Sequence, residues 1–278
     1  MKQRPAATIG RQVALFPFLL ISLVPIYIMV ISAFKTNADI QSSPLTIPFE
    51  RLTLDNVVSA ITNPQLDIIG SFGRTIIITL GSVGLALLAG GMISYVLARS
   101  LSRWSVLVYV VLIAGILIPS QVLLIPATRV FQFLGIDGTL FALITYLAAL
   151  HIPYVIFIYV GFIRSIPREL DEAATVDGAG AFTTYWRIIF PVLKPATAAI
   201  AIFTGLSSFN NFLDPLIILG PSGGKTVTTG IYSSVGQFNS DYGSVFGSLL
   251  VAVLPVMIAY FIMQRQFIDG LTEGSVKG

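Results

Sequence analysis

Residues 167–195 read PRELDEAATVDGAGAFTTYWRIIFPVLKP, a polar stretch inside a chain that is otherwise rich in apolar runs. Ser165 is a suitable helix cap, and Pro167 suits a first helical turn. Three acids crowd this turn, where the helix dipole stabilises negative charge, and they are Glu169, Asp171 and Glu172. Glycine readily adopts the left-handed conformation that ends helices, so Gly178 is expected to end this one. The stretch therefore predicts a short helix over 169–177.

A second short helix is predicted over 183–190, with Thr183 as its cap. Ala173 and Ala174 of the first helix are strong helix formers with almost no side chain. A partner surface can therefore approach the helix backbone closely on their side. The sequence thus predicts a helix, a sharp turn and a second helix, held at a membrane surface.

The composition is that of an integral membrane protein. The 278 residues are 55% hydrophobic and 10% charged, with a mean hydropathy of +0.88. A helical crossing of a bilayer takes about 20 apolar residues. Six runs reach about that length, and they cover residues 12–33, 75–98, 105–127, 140–162, 196–219 and 244–263. We expect an all-α membrane protein with six transmembrane helices in one domain over 1–278, and the polar loop 165–195 between spans four and five.

The basic residues indicate the orientation of these spans. Six spans put both termini on one side, and eleven of the 16 Lys and Arg residues fall on that side, against five on the other. The side that is richer in Lys and Arg lies in the cytoplasm. Both termini and the loop 165–195 are therefore predicted to be cytoplasmic. The net charge of +3 then reflects topology and gives no indication of nucleic-acid binding.

The polar loop resembles the signature of a known family. Glu-Ala-Ala at 172–174 is followed after three residues by Gly178, after nine more by Ile188 and after two more by Pro191. This spacing is similar to that in the membrane-spanning permease subunits of binding-protein-dependent ABC importers. The resemblance implies a cytoplasmic coupling helix that contacts an ATPase, and it assigns this contact to Glu169, Glu172, Ala173, Ala174, Asp177, Gly178, Ile188 and Pro191. The alternative is a solvated loop that merely joins two spans.

Two further stretches resemble the carbohydrate-uptake branch of that family, in particular the second, maltose-type permease subunit. They are NNFLDPLIIL over 210–219 and QRQFIDGLTEGSVKG over 264–278. The resemblance implies a heterodimer with a second permease subunit, two ATPase subunits that hold ATP and Mg²⁺, and an extracytoplasmic solute-binding protein that delivers a sugar. The chain itself is expected to bind no cofactor and to lie in the lipid of a bacterial or archaeal plasma (inner) membrane.

The second apolar run has a stripe of small side chains. They recur every four residues and are Ser82, Ala86, Gly90, Ser94 and Ala98. In lipid, such a stripe predicts close packing between helices, either within the chain or against a second subunit.

The fifth apolar run carries polar residues on one predicted helix face. They are Thr204, Ser207, Ser208 and Asn211, at i, i+3, i+4 and i+7, with Asn210 beside them. A polar face within a span contacts either other helices or a water-filled path. Because hydroxyl and amide groups can hydrogen-bond a neutral, polyhydroxylated solute, this face is a candidate sugar path. Interhelical hydrogen bonding is the alternative.

The segment 220–226 reads GPSGGKT and superficially resembles a phosphate-binding loop. That motif requires a Gly five residues before its Gly-Lys pair, and Leu219 stands there. We interpret the segment as an outer turn. In the maltose-type subunit that the chain resembles, the corresponding loop reaches toward the docked binding protein, which by position alone makes Gly223, Gly224 and Lys225 candidate contacts.

The sequence offers no arrangement for catalysis or metal binding. It has no cysteine, one histidine and no nucleophile paired with a base. We interpret His151 as a hydrogen-bonded packing residue, with a substrate contact as the alternative. The rival class is an ion-coupled secondary carrier or channel for a small polar solute, which predicts carboxylates inside the spans and a repeated topology. The acids lie instead in loops and at span ends; a membrane-embedded enzyme is a third option.

Overall fold

The structure, a computed structural model, describes residues 5–64, 67–237 and 241–273. Within these ranges the regular elements are helices and no strand occurs, which confirms the all-helical prediction. In chain order the helices are α1 (Pro5–Ser32), α2 (Asn37–Ser42), α3 (Asp55–Thr62), α4 (Ile68–Arg99), α5 (Arg103–Ala114), α6 (Ser120–Leu134), α7 (Leu140–Ser165), α8 (Glu169–Val176), α9 (Ala181–Val192), α10 (Lys194–Phe209), α11 (Leu213–Ile218), α12 (Val227–Gln237) and α13 (Tyr242–Glu273).

Two of these helices, α4 and α7, are long and apolar enough to cross a membrane. Two bent pairs of helices pass the same test when each pair is taken together, so the structure has up to four crossing elements by length and composition. Shorter apolar helices cover Phe16–Ser32 and Tyr242–Ile258. These lengths and compositions are those of the described residues, and the count of six spans stays a prediction.

The run 105–127 was expected to form one span, and the structure divides it into two helices. Helix α5 continues into a 3-10 turn that ends at Leu117, and α6 begins at Ser120 after a bend of 103°. Ile118 adopts an extended conformation, with φ −85° and ψ 119°. A residue that precedes proline is pushed out of the helical region, and Pro119 itself has no N–H to donate, so the helix breaks here.

The chain divides into two compact units. Of the described residues, one unit contains those up to Ile69 together with those between Gly230 and Ala259, and the other contains Gly70–Thr229 together with those from Tyr260 to Glu273. The polar loop 165–195 lies in the second unit, as do all the predicted site residues.

The core of the second unit is built around α7. One face of this helix is fully buried, and its members Val155, Ile156, Tyr159, Val160 and Ile163 have no exposed surface. The small-residue stripe of α4 is buried along its whole length. At Gly90 a Cβ atom would lie 2.8 Å from a methyl carbon of Val155, so α4 and α7 approach too closely for a larger residue. This confirms the predicted seam and assigns it to packing within the chain.

The first unit is held by a polar network around the start of α13. Asn56 of α3 donates to the backbone oxygens of Ala33 and Lys35, at 3.2 and 2.8 Å. Asn37 of α2 donates to the Asp241 carboxylate at 2.8 Å, and the Ser244 hydroxyl donates to the same carboxylate at 2.6 Å. Burial alone would raise the pKa of Asp241, but these bonds, with those from backbone N–H groups, lower it below its usual value.

Candidate functional site

Helix α8 begins at Glu169, as the sequence predicts, with its three acids in the first turn. The expected cap does not form, because Ser165 is the last residue of α7 and its hydroxyl donates to Phe162 O at 2.7 Å. At the other end, Gly178 has a φ of +80°, the left-handed conformation that was predicted for it. Its N–H donates to Thr175 O, and the N–H of Ala179 donates to Ala174 O. This pair of bonds is the Schellman turn that ends many helices.

The side chains of α8 divide between two faces. Ala174 is buried, with 3% of its surface exposed, and Asp171 three residues earlier is partly buried. The rest of the helix is exposed, and its surface carries Glu169, Leu170, Glu172, Ala173, Thr175 and Val176, with Asp177 directly after them. Both alanines were predicted to face a partner surface, but Ala174 is covered by the chain itself. Only Ala173 of that pair, together with the acids, remains on the open face.

The second helix of the loop starts earlier than predicted. Gly180 precedes its first turn, so Thr183 lies inside α9 and is not a cap. Its middle section, Tyr185–Ile189, is a π-helical turn in which the N–H of Phe190 donates to Tyr185 O. Pro191 has no N–H to continue the regular α-helical pattern, which favours such an irregular turn. Of the two predicted coupling residues here, Ile188 is half-buried and Pro191 is exposed.

The loop is attached to the basic end of α4 by Tyr95 and Arg99, two residues that had not been singled out from the sequence. Arg99 Nη2 lies 2.7 Å from Asp171 Oδ2, and the Tyr95 hydroxyl donates to Asp171 Oδ1 at 2.7 Å. A guanidinium N–H of Arg99 also donates to Ile166 O at 3.0 Å. The sequence carried a signal for this contact. Tyr95 and Arg99 stand four residues apart at the end of an apolar run, and Asp171, a possible acidic partner, directly precedes the Glu-Ala-Ala motif.

The predicted polar face of the fifth run is interrupted. Helix α10 ends at Phe209, and α11 starts at Leu213, so Asn211 does not continue the face of Thr204 and Ser208. The Asn211 side chain instead accepts from the N–H of Asp214 at 3.2 Å and donates to its carboxylate at 2.7 Å. Asn211 therefore stabilises the first turn of α11 in the manner of a cap.

The remaining residues of this face have different surroundings. Thr204 is buried and donates to Ile200 O at 2.7 Å. Ser208 is buried, and its hydroxyl lies 2.9 Å from His151 Nε2 and 3.1 Å from the Ser82 hydroxyl. Ser207 and Asn210, by contrast, are exposed. The internal bonds support the interpretation of His151 as a packing residue, and they leave two members of the predicted path on the surface of the chain.

The turn that contains the segment 220–226 is closely packed. A Cβ atom at Gly223 would overlap Gly138 O and lie 2.8 Å from Leu219 O, and one at Gly224 would lie 2.9 Å from Arg74 Nε. Arg74 Nε donates to Lys225 O at 2.8 Å. All three predicted contact residues are half-buried. Packing against backbone atoms thus requires glycine at 223, and a φ of +82° favours it at 224, which accounts for the glycines of the motif that resembles a phosphate-binding loop.

The fold and the loop define a class of membrane transport protein. Residues 82–271 match the family described as binding-protein-dependent transport system inner membrane component, and the chain belongs to this family. The resemblance that the loop suggested is confirmed.

Similar proteins include the multiple sugar-binding transport system permease protein MsmG of Streptococcus mutans. It is 37% identical over 92% of both chains. The probable starch degradation products transport system permease protein AmyC of Thermoanaerobacterium thermosulfurigenes is 32% identical over 91% of both chains.

Among solved structures, the fold is similar to that of a chain of a bacterial ABC transporter involved in the import of the acidic polysaccharide alginate. The TM-score is 0.78 at 18% identity, over 95% of this chain and 98% of that one. A second similar structure is that of the bacterial alginate ABC transporter in complex with an alginate pentasaccharide-bound periplasmic protein. Its TM-score is 0.62 at 16% identity, with the same coverage.

Proposed function

We propose that this chain is a membrane-spanning subunit of an ATP-driven importer and forms half of the translocation path for a sugar or oligosaccharide. Family membership supports the transport role, and the sugars for which its relatives are named support the substrate class. The observation that carries the proposal is α8, a short helix that the turn at Gly178 ends and whose exposed surface carries acids, Ala173 and the apolar side chains of Leu170 and Val176.

In this proposal the chain neither binds nor hydrolyses ATP. Two partner ATPase subunits hold ATP and Mg²⁺, close on the nucleotide and displace α8. The exposed carboxylates of Glu169, Glu172 and Asp177 contact these subunits, and Ala173 allows their surface to approach the helix backbone. Movement of α8 then shifts the spans between inward-open and outward-open states, a rigid-body change of the kind by which switches transmit force.

The proposal includes a topology. Six spans place both termini and α8 in the cytoplasm, in agreement with the excess of Lys and Arg on that side. The turn at Gly223, Gly224 and Lys225 then lies outside, where a solute-binding protein docks. Because the two glycines are enclosed by their own chain, we propose that any contact with the binding protein is made through Lys225 or through the backbone.

The path for the sugar runs along the exposed side of α10, opposite a second permease subunit. Ser207 and Asn210 are three residues apart and exposed, so a solute between two subunits can reach them. The Thr204 hydroxyl bonds to Ile200 O of its own helix. The Ser208 hydroxyl contacts Ser82 and His151, and we propose that it positions α10 against α4 and α7. Asn211 has the same supporting role at the start of α11.

Reconstitution of the complete assembly in liposomes tests the proposal. The chain, its sister permease, the ATPase subunits and the binding protein are combined, and ATP hydrolysis and uptake are measured with a panel of neutral mono- and oligosaccharides. We expect at least one sugar to stimulate hydrolysis and to accumulate only when ATP is supplied. Uptake by this chain alone, driven by an ion gradient, would contradict the proposal and favour a secondary carrier.

A further inference from the structure

Helix α8 is too short to hold its own position. It has eight residues, and isolated helices of this length are unstable in water. The residues before it, Ile166 and Pro167, are not helical, and Gly178 turns the chain immediately after it. Unless contacts with the spans fix α8, a force on its exposed face would change the conformation of these flanking turns and would not move the spans. The question is therefore which span holds it.

The contacts of Asp171 answer this question. Its two carboxylate oxygens are held by different residues of α4, Oδ1 by the Tyr95 hydroxyl and Oδ2 by the Arg99 guanidinium, each at 2.7 Å. The Arg99 and Asp171 side chains are only 14% and 19% exposed. A charge pair that is largely shielded from water is screened less than a surface pair. The position of the carboxylate is also restrained by the hydrogen bond that its other oxygen accepts from the Tyr95 hydroxyl.

Arg99 also holds the segment that joins α7 to α8. It donates to the backbone oxygen of Ile166, the first residue after α7. One guanidinium thus joins the end of α4, the end of α7 and the first turn of α8. The arrangement leaves little freedom for α8 to move independently of α4.

The same face of α4 receives the second helix of the loop. Gly91, Tyr95 and Arg99 are spaced by four residues and so share this face. A Cβ atom at Gly91 would overlap the Tyr185 hydroxyl, and the rings of Tyr95 and Tyr185 lie 5.6 Å apart. Tyr185 is 2% exposed and belongs to the π-helical turn of α9. Both helices of the loop therefore rest on one face of one span.

We propose that Tyr95 and Arg99 are positioning residues that clamp α8 to α4 through Asp171, so that α4 is the span that moves with the coupling helix. The proposal rests on the proposed function and adds to it the route by which force enters the membrane. It separates Asp171, which faces inward and transmits movement, from Glu172, which faces outward and receives it.

The clamp is tested in the complete assembly by the amount of sugar transported per ATP hydrolysed. Asp171→Asn keeps the shape of the side chain and removes its charge, and we expect uptake per ATP to fall by about tenfold, within the range typical of coupling between sites. Tyr95→Phe removes one hydroxyl and should cause a smaller fall in the same direction. The control is Asp137→Asn, which neutralises an exposed carboxylate before α7 and should leave uptake per ATP unchanged.

A second comparison shows whether the residues act together. If Arg99→Gln and Asp171→Asn both disable the clamp, the double variant should transport no worse than the poorer single variant. Losses that multiply in the double variant would mean that the two residues act separately, and would overturn the proposal.

A distance measurement detects the clamp independently of transport. The chain has no cysteine, so spin labels can be attached at Val96→Cys on α4 and Val176→Cys on α8, both of which are exposed. In the full chain we expect a narrow distance distribution, which Asp171→Asn should broaden and Asp137→Asn should not. An unchanged distribution in the Asp171 variant, with normal uptake per ATP, would overturn the clamp.

These outcomes are separable from a failure of the proposed function. If the parent assembly hydrolyses ATP without moving any sugar, the proposed function is wrong, and the distance measurement still decides whether the clamp exists. If the parent transports sugar and the clamp variants do so equally well, the proposed function stands and the clamp is wrong.

Discussion

Two polar regions of the second unit show why a polar side chain in an apolar chain can have two different causes. In α8 most charged groups are exposed, and Glu169, Glu172 and Asp177 extend from the chain's own core. Around the junction of α10 and α11 the polar groups are largely used internally, since Ser208 joins three helices and Asn211 caps a helix. The first pattern provides a surface for a partner, and the second stabilises the fold. Substitutions in α8 should therefore affect transport and association with the ATPase, and substitutions of the internally bonded groups should affect the free energy of unfolding.

The largest effect is expected at the turn after α8. In Gly178→Val a β-branched residue would have to adopt a φ of +80°, so α8 should end differently and its exposed face should be misdirected. We expect sugar uptake by the assembly to fall to background while ATP hydrolysis continues.

Gly180→Val is the matched control for this variant. Neither glycine has an atom within 4 Å of an added Cβ, but Gly180 has a φ of −76°, which any residue adopts. Near-normal uptake in Gly180→Val combined with its loss in Gly178→Val would confirm that backbone conformation is the cause. Equal behaviour of the two variants would contradict the account of the turn.

The next effect concerns the open face of α8. Glu172→Gln removes one exposed charge, and within the described part of the chain this carboxylate forms no ion pair, so the variant should weaken association with the ATPase subunits by about tenfold, equivalent to about 1.4 kcal/mol. The unfolding midpoint of the chain alone should stay nearly constant. Titration of the purified chain with its ATPase measures the first quantity, and thermal unfolding measures the second. A variant that unfolds easily but associates normally would place Glu172 with the internally used polar groups.

Two neighbouring asparagines sharpen the comparison further. Asn211→Leu removes a cap and should lower the free energy of unfolding by about 1 kcal/mol without changing the preference among sugars. Asn210→Leu alters an exposed amide and should change sugar preference or uptake rate while stability stays constant. Competition uptake assays and unfolding curves for both variants check this. If Asn211→Leu alone changed sugar preference, its side chain would contact the substrate.

The smallest effect is a pH dependence in the first unit. The folded-state pKa of Asp241 is lowered, so its bonds contribute stability above the ordinary pKa of 3.8. That contribution is lost as the pH falls from this value through the lowered pKa of the folded state. We expect Asp241→Asn to reduce stability at pH 7 and to remove part of the loss on acidification. Glu50→Gln, at an exposed site, is the control that should leave the acid unfolding curve unchanged.

Local sequence rules predicted much of the loop. The acids of the first turn and Gly178 determine where α8 begins and ends, because helix capping and backbone conformation depend on neighbouring residues. The same rules were wrong at Ser165 and Thr183, where the adjoining helices are longer than the local pattern indicates. Tertiary packing extends helices beyond their local signals, and the sequence alone does not report it.

Contacts between distant residues were less accessible. Spacing predicted that Thr204, Ser208 and Asn211 share a face, but the helix ends before Asn211, and the sequence has no proline or glycine between Phe209 and Leu213 to signal the break. The contact of Asp171 with Tyr95 and Arg99 joins residues more than 70 positions apart. Only the folded structure brings such groups together. The break at Ile118, by contrast, follows directly from the proline after it.

The central claim is that the open face of α8 lies in the cytoplasm and is covered by an ATPase subunit. A single cysteine at Ala173 in this cysteine-free chain tests it directly, by reaction with a membrane-impermeant thiol reagent applied to either side of oriented vesicles. We predict labelling from the cytoplasmic side alone, and protection when the ATPase subunits are bound. Labelling from the outer side, or an equal rate of labelling with and without the ATPase subunits, would contradict the account.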